Sequence, residues 1–272
     1  MKKIDIKECH SRLLEMAKAV SDIGEKHGIP VYMVAGTMLG AIRHKGFIPW
    51  DDDMDFAVMY ERYWEFAEIL NKELSELYRC CTYKNHPGVG TMFYQIEDRE
   101  TIVEDPMNPL PDEKKMGVSI DIFPLVRCDE TVYTDQIPQI QRWGRVARWI
   151  FSKTLRRNWK GKLAYHFLAN KYLLALLPFT RADIIDKQMK IMDSIKPGTL
   201  VANPMSPHYR MLPLKIEYFE PATKYKFEDT FFYGINHYDE YLSLLYKDYM
   251  KLPPKAKQRV HFDNVYLKEY EL

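Results

Sequence analysis

Residues 36–59, GTMLGAIRHKGFIPWDDDMDFAVM, concentrate the residue types that handle phosphate and divalent metal. Four carboxylates, Asp51, Asp52, Asp53 and Asp55, run directly into the apolar stretch Phe56, Ala57, Val58 and Met59. A solvated acid run would continue into polar residues. Carboxylates at the mouth of a buried strand need a compensating partner, because an unpaired buried charge is costly. A calcium loop of the EF-hand type requires Gly at its sixth position and Glu at its twelfth. Counted from Asp51 those places hold Phe56 and Arg62, which excludes it. A phosphoryl-transfer metal site asks for a strand ending in Gly-Thr or Gly-Ser, then D-x-D on the next strand, then a third carboxylate on a neighbouring one. Gly36-Thr37, Asp53-Met54-Asp55 and Asp121, between Ile120 and Ile122, meet that pattern. Magnesium, with manganese as its substitute, suits such a set, since it is hard, takes one or two carboxylates and completes its shell with phosphate and water. Two such ions stabilise the attacking and leaving oxygens of an in-line displacement. Gly36 allows close backbone approach to phosphate, and Thr37 offers it a hydroxyl. Arg43, His44 and Lys45 add positive charge, although for Lys45 a solvated turn fits equally well. Asp51 and Asp52 fit a supporting or loop-capping role at least as well as direct ligation.

The elements that must position these groups follow from periodicity. Residues 5–27 place apolar side chains at helical spacing, and His27-Gly28 supplies the stop. Val31–Ala35 is predicted as a short buried strand that ends at Gly36-Thr37, with helical turns over Met38–Arg43. Asp53–Met59 is predicted as a strand, on which alternation puts Asp53 and Asp55 on one face and Met54 and Phe56 on the other. Glu61–Leu77 reads as an amphipathic helix. Strands are expected at Tyr78–Tyr83, Thr91–Ile96 and Val118–Phe123, the last with Ser119, Asp121 and Phe123 sharing a face. Helices are expected at Asp183–Ile195 and Tyr238–Met250, with strands between residues 214 and 235.

The bulk properties narrow the class. The chain has 272 residues, 46% of them apolar, and a net charge of +1, so there is core material and no global polyanion-binding signal. That charge is unevenly spread. Residues 136–182 hold ten Lys or Arg and no acid, which leaves the remainder at −9. Arg142, Arg145 and Arg148 share a helix face there, among Trp143, Trp149 and Trp159. Basic residues on one face with Trp on another suit an interfacial helix. The 4 cysteines form no C-x-x-C pair, so a zinc knuckle is not expected and burial is the preferred reading. The opening MKKIDIKECHSRLLEM lacks the apolar core of a signal peptide, and a reducing cytoplasmic setting with free thiols is expected.

GTMLGAIRHKGFIPWDDDMD closely resembles the signature of the LicD family of phosphocholine transferases, and the resemblance continues at SIDIFPL (119–125) and YDEYLSLLYKDYMKLPP (238–254). It implies an α+β, DNA polymerase β-like nucleotidyltransferase fold: a mixed β-sheet flanked by helices, here with a basic helical insertion. The expected division is a core over 1–126, a basic helical region over 127–200 and a C-terminal segment over 201–272 that packs back on the core. It also implies that Asp53, Asp55 and Asp121 bind the metals, and that the donor is a CDP-linked alcohol, CDP-choline first. The acceptor would be a hydroxyl of a cell-surface glycan or its lipid-linked precursor, with release of CMP. Trp50, beside the aspartates, is the first candidate wall for a quaternary ammonium, against a plain packing role. The family usually carries Tyr-Gly-Asp-Tyr near its end, whereas Lys247 replaces the glycine here; a glycine at positive φ would mean a different local turn in this chain.

The expected setting is the cytoplasm, with no nucleic-acid partner, and residues 142–179 suit either peripheral contact with the inner face of the membrane or a helical subdomain whose arginines pair with the acidic remainder or grip an anionic glycan. Two readings from other classes compete: a nucleotidyltransferase that adds NMP to a small alcohol or antibiotic, and a non-catalytic polyanion- or glycan-binding protein that uses the basic window.

Overall fold

The computed structural model describes residues 1–86, 89, 91–104, 115–151, 180–205, 214–258, 260 and 264–268, with the backbone alone over 146–151. Its centre is a mixed nine-stranded sheet. Strand β1 (Lys2–Ile4) leads into helix α1 (Ile6–Lys26). The Asp5 carboxylate caps that helix by accepting from the Glu8 N–H, and Cys9, Leu13, Met16, Ala17 and Val20 form its buried face. Then come β2 (Tyr32–Met33), α2 (Ala35–Arg43), β3 (Met54–Met59), a 3-10 turn and α3 (Tyr63–Glu73). Strands β4 (Tyr78–Cys81), β5 (Tyr94–Asp98), β6 (Thr101–Glu104) and β7 (Ser119–Cys128) follow. The long α4 (Glu130–Phe151), α5 (Arg181–Asp193), β8 (Leu200–Ala202), β9 (Leu214–Lys215), the hairpin β10 (Thr223–Phe227) and β11 (Thr230–Gly234), α6 (Tyr238–Tyr246) and β12 (Asn264–Leu267) complete the series.

The large sheet runs β10-β11-β2-β3-β7-β5-β4, with β8 and β9 joined through β7. Strands β3 and β7 are parallel, from Met54 opposite Ile120 to Met59 opposite Leu125. The sequence expectation ends β7 at Phe123, yet the strand continues through Pro124. Its partner β5 has stopped by Ile122 and β8 begins at Val126, so Pro124 falls in the gap between two neighbours. A missing N–H costs no ladder bond there. A smaller sheet, β1-β12-β6, draws the C-terminal strand against the N-terminal one.

The core lies against the central strands. Met54, Phe56, Ala57, Val58, Ile120 and Ile122 are essentially inaccessible, as are Phe66 and Leu70 of α3. Burial of each large apolar side chain stabilises by about 1.5–3 kcal/mol. Tyr63 adds a polar bolt: its hydroxyl donates to the Ile122 carbonyl (2.6 Å) and accepts from the Tyr94 N–H (3.1 Å). Tyr94 and Ile122 are cross-strand partners, so α3 pins β5 to β7 one residue from Asp121.

Some expected boundaries move. The strand predicted over Val31–Ala35 is only Tyr32–Met33, and Gly36-Thr37 opens helix α2 instead of closing a strand. Ala35 has φ 45°, and this left-handed residue makes the turn from strand to helix. The helix expected over Glu61–Leu77 is shorter at both ends, and that expected over Tyr238–Met250 stops at Tyr246. Strands β1, β6 and β8 carry too little local pattern to be seen without their partners. Most of the basic window, residues 152–179 with Trp159, and the side chain of Trp149 lie outside the described residues. Among the described residues, no helix is long and apolar enough to cross a membrane.

Candidate active site

A cavity of about 700 Å³ opens where the N-terminal turn of α2, the segment before β3 and the stretch after α6 meet. Asp51, Asp53 and Asp55 line it together, with Gly36, Arg43 and Trp50 from the same segment. Asp121 does not line the cavity; it stands on the neighbouring strand, where the parallel register sets it directly opposite Asp55. Directly opposed residues share a sheet face.

Local sequence explains the approach of these groups. The Thr37 hydroxyl oxygen accepts from the Asp55 N–H at 2.7 Å, and the Val34 N–H donates to the Asp55 carbonyl at 3.0 Å. Helix α2 is thereby locked to the entry of β3. A methyl group at Gly36 would stand 2.9 Å from Asp51 Oδ2, so glycine is what lets that carboxylate lie against the helix start. A methyl group at Gly40 would stand 2.5 Å from the Gly46 carbonyl oxygen, which explains how the RHKGFIPW loop folds back on α2. The loop is held further by His10, whose Nε2–H donates to the Asp51 carbonyl (2.6 Å) while its ring stacks on Phe47 at 4.1 Å.

The electrostatics single out two carboxyl groups. Asp55 is raised well above the ordinary range, first by burial, then by the charges of Asp53, Asp121 and Asp51. Asp121 is raised to about 7, chiefly by burial; a hydrogen bond from Gln95 opposes the rise and Asp53 adds to it. Gln95 Nε2 donates to Asp121 Oδ1 at 2.6 Å and is the cross-strand partner of Asp121 on β5. Burial also lowers the pKa of Arg43, against the charges of Tyr246 and Asp51.

The predicted residues divide. Gly36, Arg43, Trp50, Asp53 and Asp55 line the cavity. Thr37 is buried and serves Asp55 instead of facing the cavity. His44 and Lys45 do not line it. His44 sets its ring edge-on to Trp50 at 6.2 Å, and exposed Lys45, at φ 62°, presents its carbonyl to the Glu228 N–H. Asp51 faces the cavity, whereas Asp52 is turned into the protein and is 2% exposed.

Sequence reasoning missed the opposite wall. Tyr246, Asp248, Tyr249, Lys251, Leu252 and Lys257 complete the cavity, all from or just beyond the YDEYLSLLYKDYMKLPP stretch. That motif was the available signal. The wall is bolted to α2: Arg43 Nη1 donates to the Tyr249 carbonyl (2.8 Å), and the Ala35 N–H donates to the Tyr241 hydroxyl oxygen (3.0 Å). Lys247 itself adopts φ 60°, a backbone conformation that favours glycine over a residue with a side chain. Burial, then Tyr241 and the aspartates, raise the pKa of the Tyr246 hydroxyl.

A second cluster lies on the same face of the sheet. Among the described residues, Cys81, His86 and Glu97 bring one ligand atom each to within 4.8 Å of one another, and all three are buried.

A mixed α/β protein with a carboxylate-lined cavity at the end of paired central strands is the class that fold and site define. The family profile described as LicD/FKTN/FKRP, nucleotidyltransferase domain, matches residues 28–164, which include every carboxylate of the cluster. The chain belongs to that family. Over 275 residues it is 28% identical to the lipopolysaccharide cholinephosphotransferase LicD of Haemophilus influenzae, covering 96% of this chain and 97% of that protein. An uncharacterized protein of Rickettsia typhi is 40% identical over 58 residues, 21% of this chain and 19% of its own.

Proposed function

We propose that this protein transfers a phospho-alcohol, phosphocholine from CDP-choline, to a hydroxyl of a cell-surface glycan or its lipid-linked precursor, with release of CMP. The observation that carries the reading is the convergence of Asp51, Asp53 and Asp55 on one cavity with Asp121 opposite Asp55. The full-length similarity to a lipopolysaccharide cholinephosphotransferase supports the choice of alcohol. The arrangement of strand, helix start, carboxylate strand and third carboxylate on a parallel neighbour supports the polymerase β-like variant of the fold.

The donor set fits a hard divalent cation. All its ligand atoms are carboxylate oxygens, and the pKa values of Asp55 and Asp121 are raised first by burial and then by neighbouring carboxylates, a state that a cation would relieve. Asp53, Asp55 and Asp121 would hold magnesium or manganese, two ions in the full site. When bound, the cations supply charge neutralisation at the phosphate oxygens and at the departing CMP oxygen.

The chain's own groups do the rest. Arg43, Lys251 and Lys257 share the cavity and offset the diphosphate charge. Trp50, Tyr246 and Tyr249 present aromatic surface to a quaternary ammonium. The acceptor oxygen forms a bond to the choline-bearing phosphorus as the bond from that phosphorus to the CMP oxygen breaks. The hydroxyl proton passes to Asp121 Oδ2, the oxygen that Gln95 does not engage. The division into a core over 1–126, a basic region over 127–200 and a C-terminal segment belongs to this reading, as does peripheral membrane contact through residues 142–179.

The test is CMP release from a panel of CDP-alcohols with a glycan acceptor. CDP-choline should be the best donor, and activity should vanish in excess EDTA. Full activity in EDTA overturns the metal dependence. Nucleotide found on the acceptor, in place of free CMP, overturns the group transferred.

A further inference from the structure

We propose that Cys81, His86 and Glu97 form a zinc site that clamps the edge strand β4 and the turn after it to β5, apart from the carboxylate cluster. The three residues offer sulfur, imidazole nitrogen and carboxylate oxygen, the ligand set zinc prefers, and leave a fourth tetrahedral position for water. The site is built. Cys81 ends β4, and a short turn returns His86 over it: the Thr82 N–H donates to Asn85 Oδ1 (2.7 Å), Asn85 Nδ2 donates to the Cys80 carbonyl (3.0 Å), and the His86 N–H donates to the Thr82 carbonyl (3.0 Å). Glu97 comes from β5, two residues beyond Gln95, the cross-strand partner of Cys81. Its side chain is held from outside the cluster. The Gly117 N–H donates to Oε1 (3.0 Å) and Arg79 Nη2 to Oε2 (2.7 Å), as supporting groups orient a ligating carboxylate.

The Cys81 thiol donates to Glu97 Oε2 at 3.1 Å. That proton lies where a cation would. On binding, the S–H bond breaks, a sulfur–zinc bond forms and the proton leaves to solvent, so uptake depends on pH. Divalent zinc is balanced by one thiolate and one carboxylate. The absence of a C-x-x-C pair hides the site from sequence, because its ligands are three different residue types from a strand end, a turn and a second strand. Its consequence reaches the carboxylates: Cys81, Gln95, Asp121 and Asp55 form one row across four strands, so the clamp braces the residue that holds Asp121.

The experiment uses the full chain stripped of metal. One equivalent of zinc should bind and raise the melting temperature. Cobalt in its place should give thiolate-to-cobalt charge-transfer absorption with the visible bands of a tetrahedral ion. Both signals should be lost in Cys81→Ser and in His86→Gln and kept in Cys80→Ser and in Asp53→Asn. His86→Gln serves alone if Cys81→Ser does not fold. Absence of thiolate–cobalt absorption in the wild type, or its survival in His86→Gln, overturns the proposal.

Discussion

The two clusters on one face of the sheet treat their carboxylates in opposite ways. Asp55 and Asp121 lie among like charges, and burial with those charges pushes both upward. Burial would raise Glu97 as well, but hydrogen bonds from Arg79, the Gly117 N–H and the Cys81 thiol, with the charge of Arg79, take it below the usual glutamate range. Adjacent strands, β7 and β5, carry a site with excess negative charge and a site whose charge is satisfied. The contrast teaches that burial alone does not mark a functional carboxylate; the balance of its neighbours does. On the proposed reading the first arrangement takes a polyvalent cation and a phosphate ester, and the second holds an edge of the sheet in register.

That contrast breaks most readily at Asp53 and Asp55. Asn at either position should lower phosphocholine transfer by about 10³-fold, the scale of losing a principal group that stabilises developing charge, with the circular dichroism of the fold retained. Cys81→Ser should leave transfer within about tenfold and act mainly on melting temperature. Comparable losses of activity at the two clusters would collapse the distinction.

Gln95→Ala sharpens the link between them. It removes the 2.6 Å hydrogen bond to Asp121 Oδ1 and should lower kcat by about tenfold, the equivalent of one charge-assisted hydrogen bond. An unchanged kcat would show that Asp121 needs no positioning from β5.

The pH dependence of stability should have opposite signs at the two sites. The folded pKa of Asp121, about 7, lies above its unfolded value, so its contribution is fully present below about pH 4 and is lost as pH rises through 7. In metal-free protein, Asp121→Asn should therefore raise the melting temperature at pH 8 and have little effect at pH 4. Glu97 is depressed, so its contribution is present above the unfolded glutamate value, about 4.3, and fades as pH falls through the lower folded value. Glu97→Gln should destabilise at pH 8, and less so in strong acid. Parallel slopes in thermal melts of the two variants would contradict the electrostatic contrast.

The smallest effect is expected at the turn that carries the opposite wall. Lys247→Gly relieves a side chain at φ 60° and should stabilise by about 1 kcal/mol in chemical denaturation. A loss of stability would show that the lysine side chain supplies more than its backbone costs.

Much of the local architecture was legible. Helix α1 follows from apolar spacing and the His27-Gly28 stop, and the inward Met54 and Phe56 follow from strand alternation, which also set Asp53 and Asp55 apart from Asp52. Other features escaped because their causes are not local. The start of α2 at Ala35 depends on a left-handed residue and on Thr37 meeting the Asp55 N–H, eighteen residues on. The continuation of β7 through Pro124 depends on where its neighbours end. The short β6 is recognisable only through β12, far along the chain.

The sequence by itself determined the chemistry on offer: hard carboxylate oxygens close to a Gly-Thr step, with apolar residues to bury the strand behind them. Residue type and a period of two suffice for that. Only the tertiary structure decided the partners. The parallel register of β3 and β7 puts Asp121 opposite Asp55, the return of the C-terminal stretch adds Tyr246, Lys251 and Lys257, and the edge of the sheet gathers Cys81, His86 and Glu97. Register and closure are set by packing between segments distant in sequence, and a one-residue slip of β7 would turn Asp121 to the other face.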